Sequence, residues 1–350
     1  MVSNVTLKDV AAEAGVSAQA VSLVMNKKSK GQIADATRKQ VLRAAAKLGY
    51  CRNASAGILR GADTKAAAIL TSQRLTDIVD EHLVNLVMQM TSCLNGAGYA
   101  CFFTELNVPD AGNLQKIRDL LSRGVRRFIV IGSIWNDKEI FELLRSANAR
   151  CFHYGNSSGK GIRFSFRQAF RDLRDVLTPE QFSGFRFILN GKITNISSRA
   201  RIEGLSVLPG TAEDHIFDYP LKTFNGPGSQ LDMAEQGYEA MRSLRERQPD
   251  CRTAFCYNDH FLVGALRYCV ENHIIPGRDI TLGCVNESCT VSMSPFPLLI
   301  FRHPLEKIIA SAGSWLQGKE VASIQCFEMV LIRNHAAARA GLYEGMRDER

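Results

Sequence analysis

From about residue 62 onward the sequence alternates short apolar runs with amphipathic helical patterns, and this rhythm restricts the fold more than any other feature. Continuous apolar runs of four or five residues are typical of strands that are buried on both faces. Helices between such strands favour parallel sheets with helices on either side. We predict strands at 66–70, 100–103, 128–131, 186–189, 253–256 and 280–284, and helices at 81–96, 113–123 and 261–272. Nearly 290 residues of this kind suit two α/β subdomains around a cleft.

Positive charge is concentrated at the start of the chain. Residues 1–60 carry a net charge of +7, whereas the remaining 290 residues carry +1. A basic module joined to a nearly neutral body predicts a polyanion or an anionic membrane as its partner.

Several classes of protein are disfavoured by the composition. No apolar run approaches the roughly 20 residues that a membrane span needs, and the first residues lack the pattern of a signal peptide. We therefore expect a cytoplasmic protein with no membrane partner. The ten cysteines form no Cys-x-x-Cys pair, so we interpret them as reduced, buried side chains and expect neither a metal site nor a cofactor.

Three short helical patterns occupy residues 6–48 of the basic module. Thr6 is a suitable N-cap for the first, with Asp9 at the capping-box position. Gly15 ends that helix, and Ser17 can cap a second helix over 18–25. The third pattern runs from about 35 to 48, with an apolar stripe at Val41, Leu42, Ala45 and Leu48.

Two helices joined by a tight turn, with a third as support, predict a helix-turn-helix unit. Its second helix would enter the DNA major groove by its N-terminal end. A small three-helix bundle without DNA-binding activity would have the same pattern. The charge of +7 and the outward Gln19 beside small residues argue against that alternative.

The order of residues in this module closely resembles the DNA-binding headpiece of the lactose/galactose repressor (LacI/GalR) family. The resemblance is carried by VTLKDVA at 5–11, AGVS at 14–17, VS at 21–22, VMN at 24–26, and by Thr37, Arg38, Val41, Ala44, Ala45, Leu48, Gly49, Tyr50 and Asn53. It implies a helix-turn-helix headpiece at 1–50, a hinge helix at 51–61 and an effector-binding and dimerisation domain at 62–350.

The resemblance also implies which residues contact DNA. Phosphate contacts set the register of the protein, whereas contacts to base edges read the sequence. Ala18, Gln19 and Ala20 correspond to the base-reading surface, and Leu59 corresponds to a side chain that wedges into the minor groove and kinks the duplex. The other implied DNA contacts are Thr6, Leu7, Ser17, Ser22, Asn26, Thr37, Asn53 and Ala56. A plain linker at 51–61 is the alternative interpretation of the hinge.

Two headpiece residues depart from the family pattern. Leu23 stands where many relatives carry Arg, so bidentate reading of guanine is absent there. Ala34 replaces the usual capping side chain before the third helix, and Asp35 compensates in part at the positive end of that helix.

A thinner resemblance continues through the body, in SRARIEG at 198–204, NDHFLVGAL at 258–266, PGRDI at 276–280 and PLLIFRHP at 297–304. The implied fold is that of periplasmic sugar-binding proteins. An N-subdomain would comprise about 62–160 and 302–324, and a C-subdomain about 161–301 and 325–345. The implied effector contacts in the cleft are Asp80, Arg201, Asn258, Asp259 and Asn286.

Two features of the cleft bear on the chemistry of its ligand. Asn286 stands where sugar-binding relatives usually carry Asp, and the segment at 163–167 (RFSFR) is unusually basic and aromatic. Both changes favour an acidic ligand, such as a sugar acid or a sugar phosphate, over a plain monosaccharide. A cleft that no longer binds any ligand is the alternative.

Taken together, the sequence predicts a homodimeric transcriptional regulator, most simply a repressor, on a pseudo-palindromic double-stranded DNA operator. A small molecule in the cleft would control its operator affinity through a coupling of about 1–3 kcal/mol. Alternatives are a regulator without an effector, a soluble solute-binding protein or an enzyme. We do not expect an enzyme, because no nucleophile elbow, phosphate loop or metal-type His pair occurs.

Overall fold

The structure is a computed structural model, and it divides into two compact units, Met1–Thr64 and Lys65–Arg350. The residues that it describes are 5–25, 33–50, 64–72, 81–106, 112–132, 134, 137–155, 161–189, 196–220, 229–319, 321–322, 324–339 and 341–342.

The first unit contains three helices: α1 (Leu7–Glu13), α2 (Ala18–Met25) and α3 (Asp35–Lys47). One fully buried valine from each helix, at positions 10, 21 and 41, meets the other two in a small common core. Gly15 has a φ of 60°, a left-handed conformation that suits glycine in the turn between α1 and α2. The predicted helix-turn-helix is confirmed.

The apolar stripe of α3 differs by one position from the prediction. Leu42 is exposed, whereas Ala44 joins Val41 and Ala45 in the core. Positions 41, 44, 45 and 48 follow the spacing of one helical face, and position 42 lies about 100° away from it. Ala34 makes no side-chain cap, as its sequence predicts.

The N-subdomain of the second unit is built on a six-stranded sheet in the order β11-β5-β4-β3-β1-β2, in which all neighbouring strands are parallel. Its strands are β1 (Ala66–Thr71), β2 (Ala100–Glu105), β3 (Arg127–Ile131), β4 (Arg150–Tyr154), β5 (Gly161–Ser165) and β11 (Ile324–Glu328). Its helices are α4 (Glu81–Gly96), α5 (Gly112–Ser122), α6 (Asp137–Ser146) and α13 (Leu305–Leu316).

Strand β1 shows why the apolar runs are continuous. Ala67 and Ile69 pack with α4 and α13 on one face of the sheet, whereas Ala66, Ala68 and Leu70 pack with α5 and α6 on the other. A strand that is covered on both faces needs an apolar side chain at every position.

The C-subdomain is built on a second six-stranded sheet, in the order β12-β10-β9-β8-β6-β7, in which only the β10–β12 pair is antiparallel. Its strands are β6 (Phe185–Leu189), β7 (Ile216–Asp218), β8 (Thr253–Cys256), β9 (Thr281–Val285), β10 (Leu298–Arg302) and β12 (Val330–Arg333). Its helices are α7 (Arg167–Val176), α8 (Pro179–Ser183), α9 (Ile196–Leu205), α10 (Ser229–Arg247), α11 (Asp259–Glu271), α12 (Cys289–Ser292) and α14 (His335–Arg339).

The chain crosses between the two sheets three times. The crossings follow β5, β10 and β11. Strands β5 and β11 pair with each other, so both belong to the first sheet. The predicted subdomain boundaries at about 160 and 324 assigned both strands to the C-subdomain, and they were wrong by about one strand. The predicted α/β class, with two parallel-dominated subdomains, is confirmed. Within the described residues, no helix is both long and apolar enough to cross a membrane.

Candidate DNA-binding surface and ligand cleft

Helix α2 presents the predicted base-reading side chains. The Ala20 amide donates to Ser17 Oγ at 3.1 Å, which caps the first turn of the helix as predicted. Val21 and Val24 are buried in the core of the unit. With that face fixed, Ala18 and Gln19 are exposed at the N-terminal end of α2.

A reciprocal cap fixes the start of α1. The Asp9 amide donates to Thr6 Oγ1 at 3.4 Å, while the Thr6 amide and hydroxyl donate to Asp9 Oδ2 at 2.7 and 2.8 Å. These backbone and side-chain hydrogen bonds from Thr6 lower the pKa of the Asp9 carboxyl. The Thr6 hydroxyl is therefore already engaged within the helix cap, and its phosphate contact remains a prediction.

The structure describes only some of the remaining residues that were predicted to contact DNA. Leu7, Ala20, Ser22 and Thr37 are half-buried on the three-helix unit. Four of the predicted contacts lie outside the described residues, as does the whole predicted hinge at 51–61: Asn26, Asn53, Ala56 and Leu59.

The ligand cleft is formed where strands of the two sheets end. Tyr154 is the last residue of β4, Tyr257 and Asn258 follow β8, and Asn286 follows β9. In open α/β sheets, ligands bind at the carboxyl ends of the strands. Contact across the cleft is direct, because Glu81 at the start of α4 accepts a hydrogen bond from the backbone amide of Cys289 at the start of α12.

Arg201 is the buried cation of the cleft. Its side chain, on α9, lies over the ring of Tyr257 at 4.3 Å and near the ring of Phe166 at 5.8 Å. Arg201 is 5% exposed, and neither Nε nor Nη1 has a hydrogen-bond partner among the residues that the structure describes. A guanidinium that is held by aromatic rings but lacks acceptors is prepared to bind an oxygen-rich group.

Asn286 is already bonded to a histidine. The ring Nε2 of His303, in the crossing after β10, lies 3.2 Å from Asn286 Oδ1. The His303 ring also stacks on His82 at 4.2 Å and meets Phe164 edge-on at 4.3 Å. His82 Nε2 in turn lies 2.7 Å from the Tyr154 hydroxyl. These five side chains join elements of both subdomains.

The bond to Asn286 defines the tautomer of His303. Because an amide oxygen only accepts, Nε2 must donate, which leaves Nδ1 as the unprotonated nitrogen of a neutral ring. Within the described part of the chain, Nδ1 is buried without a hydrogen-bond partner. Burial, together with the charges of His82 and Arg201, holds the pKa of His303 well below its ordinary value.

The structure links the predicted effector contacts Arg201, Asn258 and Asn286 through their neighbours, and their role in binding an effector stays a prediction. Arg201 lies against Tyr257, the neighbour of Asn258, and its charge acts on His303, the partner of Asn286. The Asn258 side chain caps α11 by accepting from the Phe261 amide at 2.9 Å. Asp259, the first residue of α11, is 2% exposed. Asp80 lies outside the described residues.

The sequence did not identify the aromatic and histidine part of the cleft. Tyr154, Tyr257 and the His82–His303 stack were not among the predicted contacts, and Phe164 was predicted only as part of the aromatic segment at 163–167. Tyr154 ends β4 (RCFHY), which is not a continuous apolar run, so that strand was not predicted. In the segment at 163–167, the two phenylalanines face inward, whereas both arginines are exposed.

The described cysteines are unpaired thiols. Burial raises the pKa of Cys151 to about 12 and that of Cys251 to about 11, although hydrogen bonding and nearby arginines oppose the shift at Cys251. Buried, protonated thiols of this kind behave as small apolar side chains.

Comparison with known proteins agrees with both parts of the molecule. Residues 6–53 match the family described as bacterial regulatory proteins, lacI family. The chain is 24% identical over 269 residues to the maltose regulon regulatory protein MalI of Escherichia coli (strain K12), covering 75% of this chain and 74% of MalI.

Solved structures share the fold over nearly the whole chain. A lac repressor dimer bound to operator and the anti-inducer ONPF matches with a TM-score of 0.67 and 19% identity, covering 95% of this chain and 99% of that one. A complex of the transcriptional regulator CelR with cellobiose matches with a TM-score of 0.59 and 20% identity, covering 94% of this chain and 99% of that one.

The helix-turn-helix unit and the two-subdomain body define a DNA-binding transcriptional regulator. The match to the lacI family covers the helix-turn-helix unit, and the similarity of the body to the solved structures is one of fold. The relatives that it matches are named as transcriptional regulators.

Proposed function

We propose that the protein is a homodimeric transcriptional repressor whose affinity for a pseudo-palindromic operator is controlled by a small molecule in the cleft. The ligand is a carbohydrate or a sugar acid or sugar phosphate, and the protein acts in the cytoplasm. The observation that carries this proposal is the combination of an exposed N-terminal end of α2, in a segment (residues 1–60) of net charge +7, with a second unit that contains a cleft.

The proposed DNA contacts follow from how α2 is held. Burial of Val21 and Val24 fixes the rotation of the helix, so that Ala18 and Gln19 face away from the core. A glutamine amide can bond the N6 and N7 edge of adenine, and alanine methyl groups can contact thymine methyl groups. The Ser17 hydroxyl keeps its hydrogen for a phosphate oxygen, because its oxygen only accepts from Ala20.

A dimer would place two such units on two half-sites, which accounts for a pseudo-palindromic operator. Helix α4 supports self-association, because it leaves Val84 and Met88 exposed one turn apart on its outer face. The lac repressor structure that shares this fold is a dimer on its operator.

The test begins with selection of preferred DNA sites from a random library by the full chain, followed by titration of the best site. Gln19→Ala should weaken binding by about 1–3 kcal/mol and relax the preference at one position of each half-site. Gln40→Ala, the same change at an exposed position of α3, is the matched control and should bind normally.

Two results would count against the proposal. One is a chain that selects no sequence at all. The other is a Gln19→Ala variant that keeps both the affinity and the site preference of the wild type. Sedimentation of the full chain, with and without the selected site, tests the dimer independently.

A further inference from the structure

The cleft holds polar groups whose hydrogen-bonding capacity is unused. Besides Nε and Nη1 of Arg201, the buried hydroxyl of Ser288 at the start of α12 and Nδ1 of His303 have no partner in the described part of the chain. These residues lie on segments that follow β6, β9 and β10, at the carboxyl ends of strands of the second sheet. Unpaired buried polar atoms cost free energy, and several of them on one side of a sheet point to a ligand.

The charge of this set is positive. The Arg201 guanidinium is permanently protonated. It lies over the Tyr257 ring, and its Nε and Nη1 have no partner among the described residues. A neutral polyol would leave that charge buried and uncompensated, whereas a carboxylate or a phosphate would neutralise it and accept from both free N–H groups.

The state of Asn286 supports the same conclusion. Where a carboxylate at this position could accept from sugar hydroxyls, the amide oxygen here already accepts from His303 Nε2 at 3.2 Å. The groups that remain for a ligand are therefore mainly donors, and donors select an acceptor-rich ligand.

His303 can complete this arrangement only by gaining a proton. In the neutral ring Nδ1 carries a lone pair, so it would repel an anion's oxygen; once protonated it becomes a further donor. The groups that face the ring are His82 from α4, Arg201 from α9, Asn286 after β9 and the aromatic rings of Tyr154 and Phe164. An anion beside Arg201 would offset the positive charge that now disfavours the imidazolium.

We infer that the effector of this cleft is an acidic small molecule bearing a carboxylate or a phosphate, which pairs with Arg201 and binds together with a proton on His303. This inference rests on the proposed function, because it names the class of ligand that the cleft takes and the condition under which it binds.

The first test is a thermal-shift panel on the full chain in which each acid has a neutral parent. Glucose and galactose are compared with glucuronate, galacturonate, glucose 6-phosphate and galactose 6-phosphate, and inorganic phosphate serves as the bare anion, all at equal ionic strength. We expect acidic members to raise Tm and their neutral parents to leave it unchanged. The uronates and the phosphates separate the two sources of negative charge.

The Arg201→Gln variant distinguishes a ligand-binding role of Arg201 from a structural one. Removal of an unpaired buried charge should leave the Tm of the ligand-free protein the same or higher, while affinity for the acid falls by about tenfold or more. Arg199→Gln, an exposed arginine on the same helix, is the control and should keep the ligand response.

The proton is counted by calorimetric titration of the wild type with the best acid, in two buffers of different ionisation enthalpy at about pH 7. We expect net proton uptake. Affinity should fall as pH rises from the low pKa of free His303 towards the raised pKa of the bound state, because the bound form holds the extra proton. His303→Gln keeps a donor for Asn286 and should abolish the uptake.

The inference is overturned if neutral parents stabilise the protein as well as their acids, if no acid including phosphate shifts Tm, or if binding takes up no proton. A neutral sugar that binds and changes operator affinity would overturn this inference while leaving the proposed function intact. Loss of operator binding itself would instead refute the proposed function.

Discussion

Helices α10 and α11 pack so closely that adding one methyl group at their contact should force them apart. A Cβ added at Gly264 of α11 would lie 1.7 Å from the backbone oxygen of Ala234 and 2.7 Å from the backbone nitrogen of Tyr238. The contact is reciprocal, because a Cβ added at Gly237 of α10 would lie 1.9 Å from the oxygen of Phe261. Both clashes are with backbone atoms, so rotation of a side chain cannot relieve them.

Two opposing effects decide the stability of Gly264→Ala. Alanine gains about 1 kcal/mol over glycine inside a helix. Ordinary van der Waals contact begins at 3.4 Å. A Cβ that lies 1.7 Å from a backbone oxygen therefore requires the two helices to move apart by about 1.7 Å. Overpacking of a core costs about 1–3 kcal/mol, and more where the backbone must move. We therefore expect a net loss of about 2 kcal/mol.

Urea unfolding followed by far-UV circular dichroism measures this loss as a lower midpoint for the body. Gly96→Ala is the matched control, because Gly96 is also helical and a Cβ there would meet nothing within 4 Å. That variant should be neutral or slightly stabilised. If Gly264→Ala were as stable as Gly96→Ala, the close approach of α10 and α11 would be wrong.

Three further changes test other parts of the molecule. Thr6→Ala removes the α1 cap and should cost the headpiece about 1 kcal/mol, seen as faster amide exchange in α1, whereas Thr6→Ser should not. The Asn334 side-chain amide donates to three backbone oxygens, and Asn334→Asp would place a carboxylate against them. This change should lower the free energy of unfolding by about 3 kcal/mol or more at neutral pH. Since those oxygens raise the pKa of the new carboxyl, urea stability should recover as pH falls through that pKa. Glu81→Ala should speed exchange of the Cys289 amide about fivefold, and Glu81→Gln less; unchanged exchange would show that this contact does not hold the cleft closed.

Local signals made the headpiece predictable from sequence. The Thr6 and Ser17 caps and the left-handed Gly15 depend on residues within three positions in the chain, so their chemistry can be recognised without the fold. Buried strands such as β1 and β8 were equally clear, because both faces are covered and every side chain is apolar.

Strands β11 and β5 and the side-chain contacts in the cleft were not predictable in the same way. Strand β11 alternates exposed and half-buried residues, and β5 begins at Gly161, so neither has a continuous apolar run. The pairing of Asn286 with His303 depends on a crossing between the two sheets rather than on sequence spacing. Asn286 was predicted as a ligand contact from its position, but its bond to a histidine required the fold.

The crossings also place ligand chemistry and subdomain motion in the same residues. Phe164, near the end of β5, lies just before the first crossing and contacts His303, which lies in the second crossing. The first and third crossings are tied by the Met329 amide, which donates to the Ser165 carbonyl at 2.8 Å, and by the Gln168 amide, which donates to Glu328 at 3.2 Å. A ligand that binds together with a proton on His303, as inferred above, would therefore act beside the crossings between the two sheets. Since a ligand shifts an equilibrium only by its differential affinity for the two states, a bond made or lost beside these crossings would be enough to bias the angle between the subdomains.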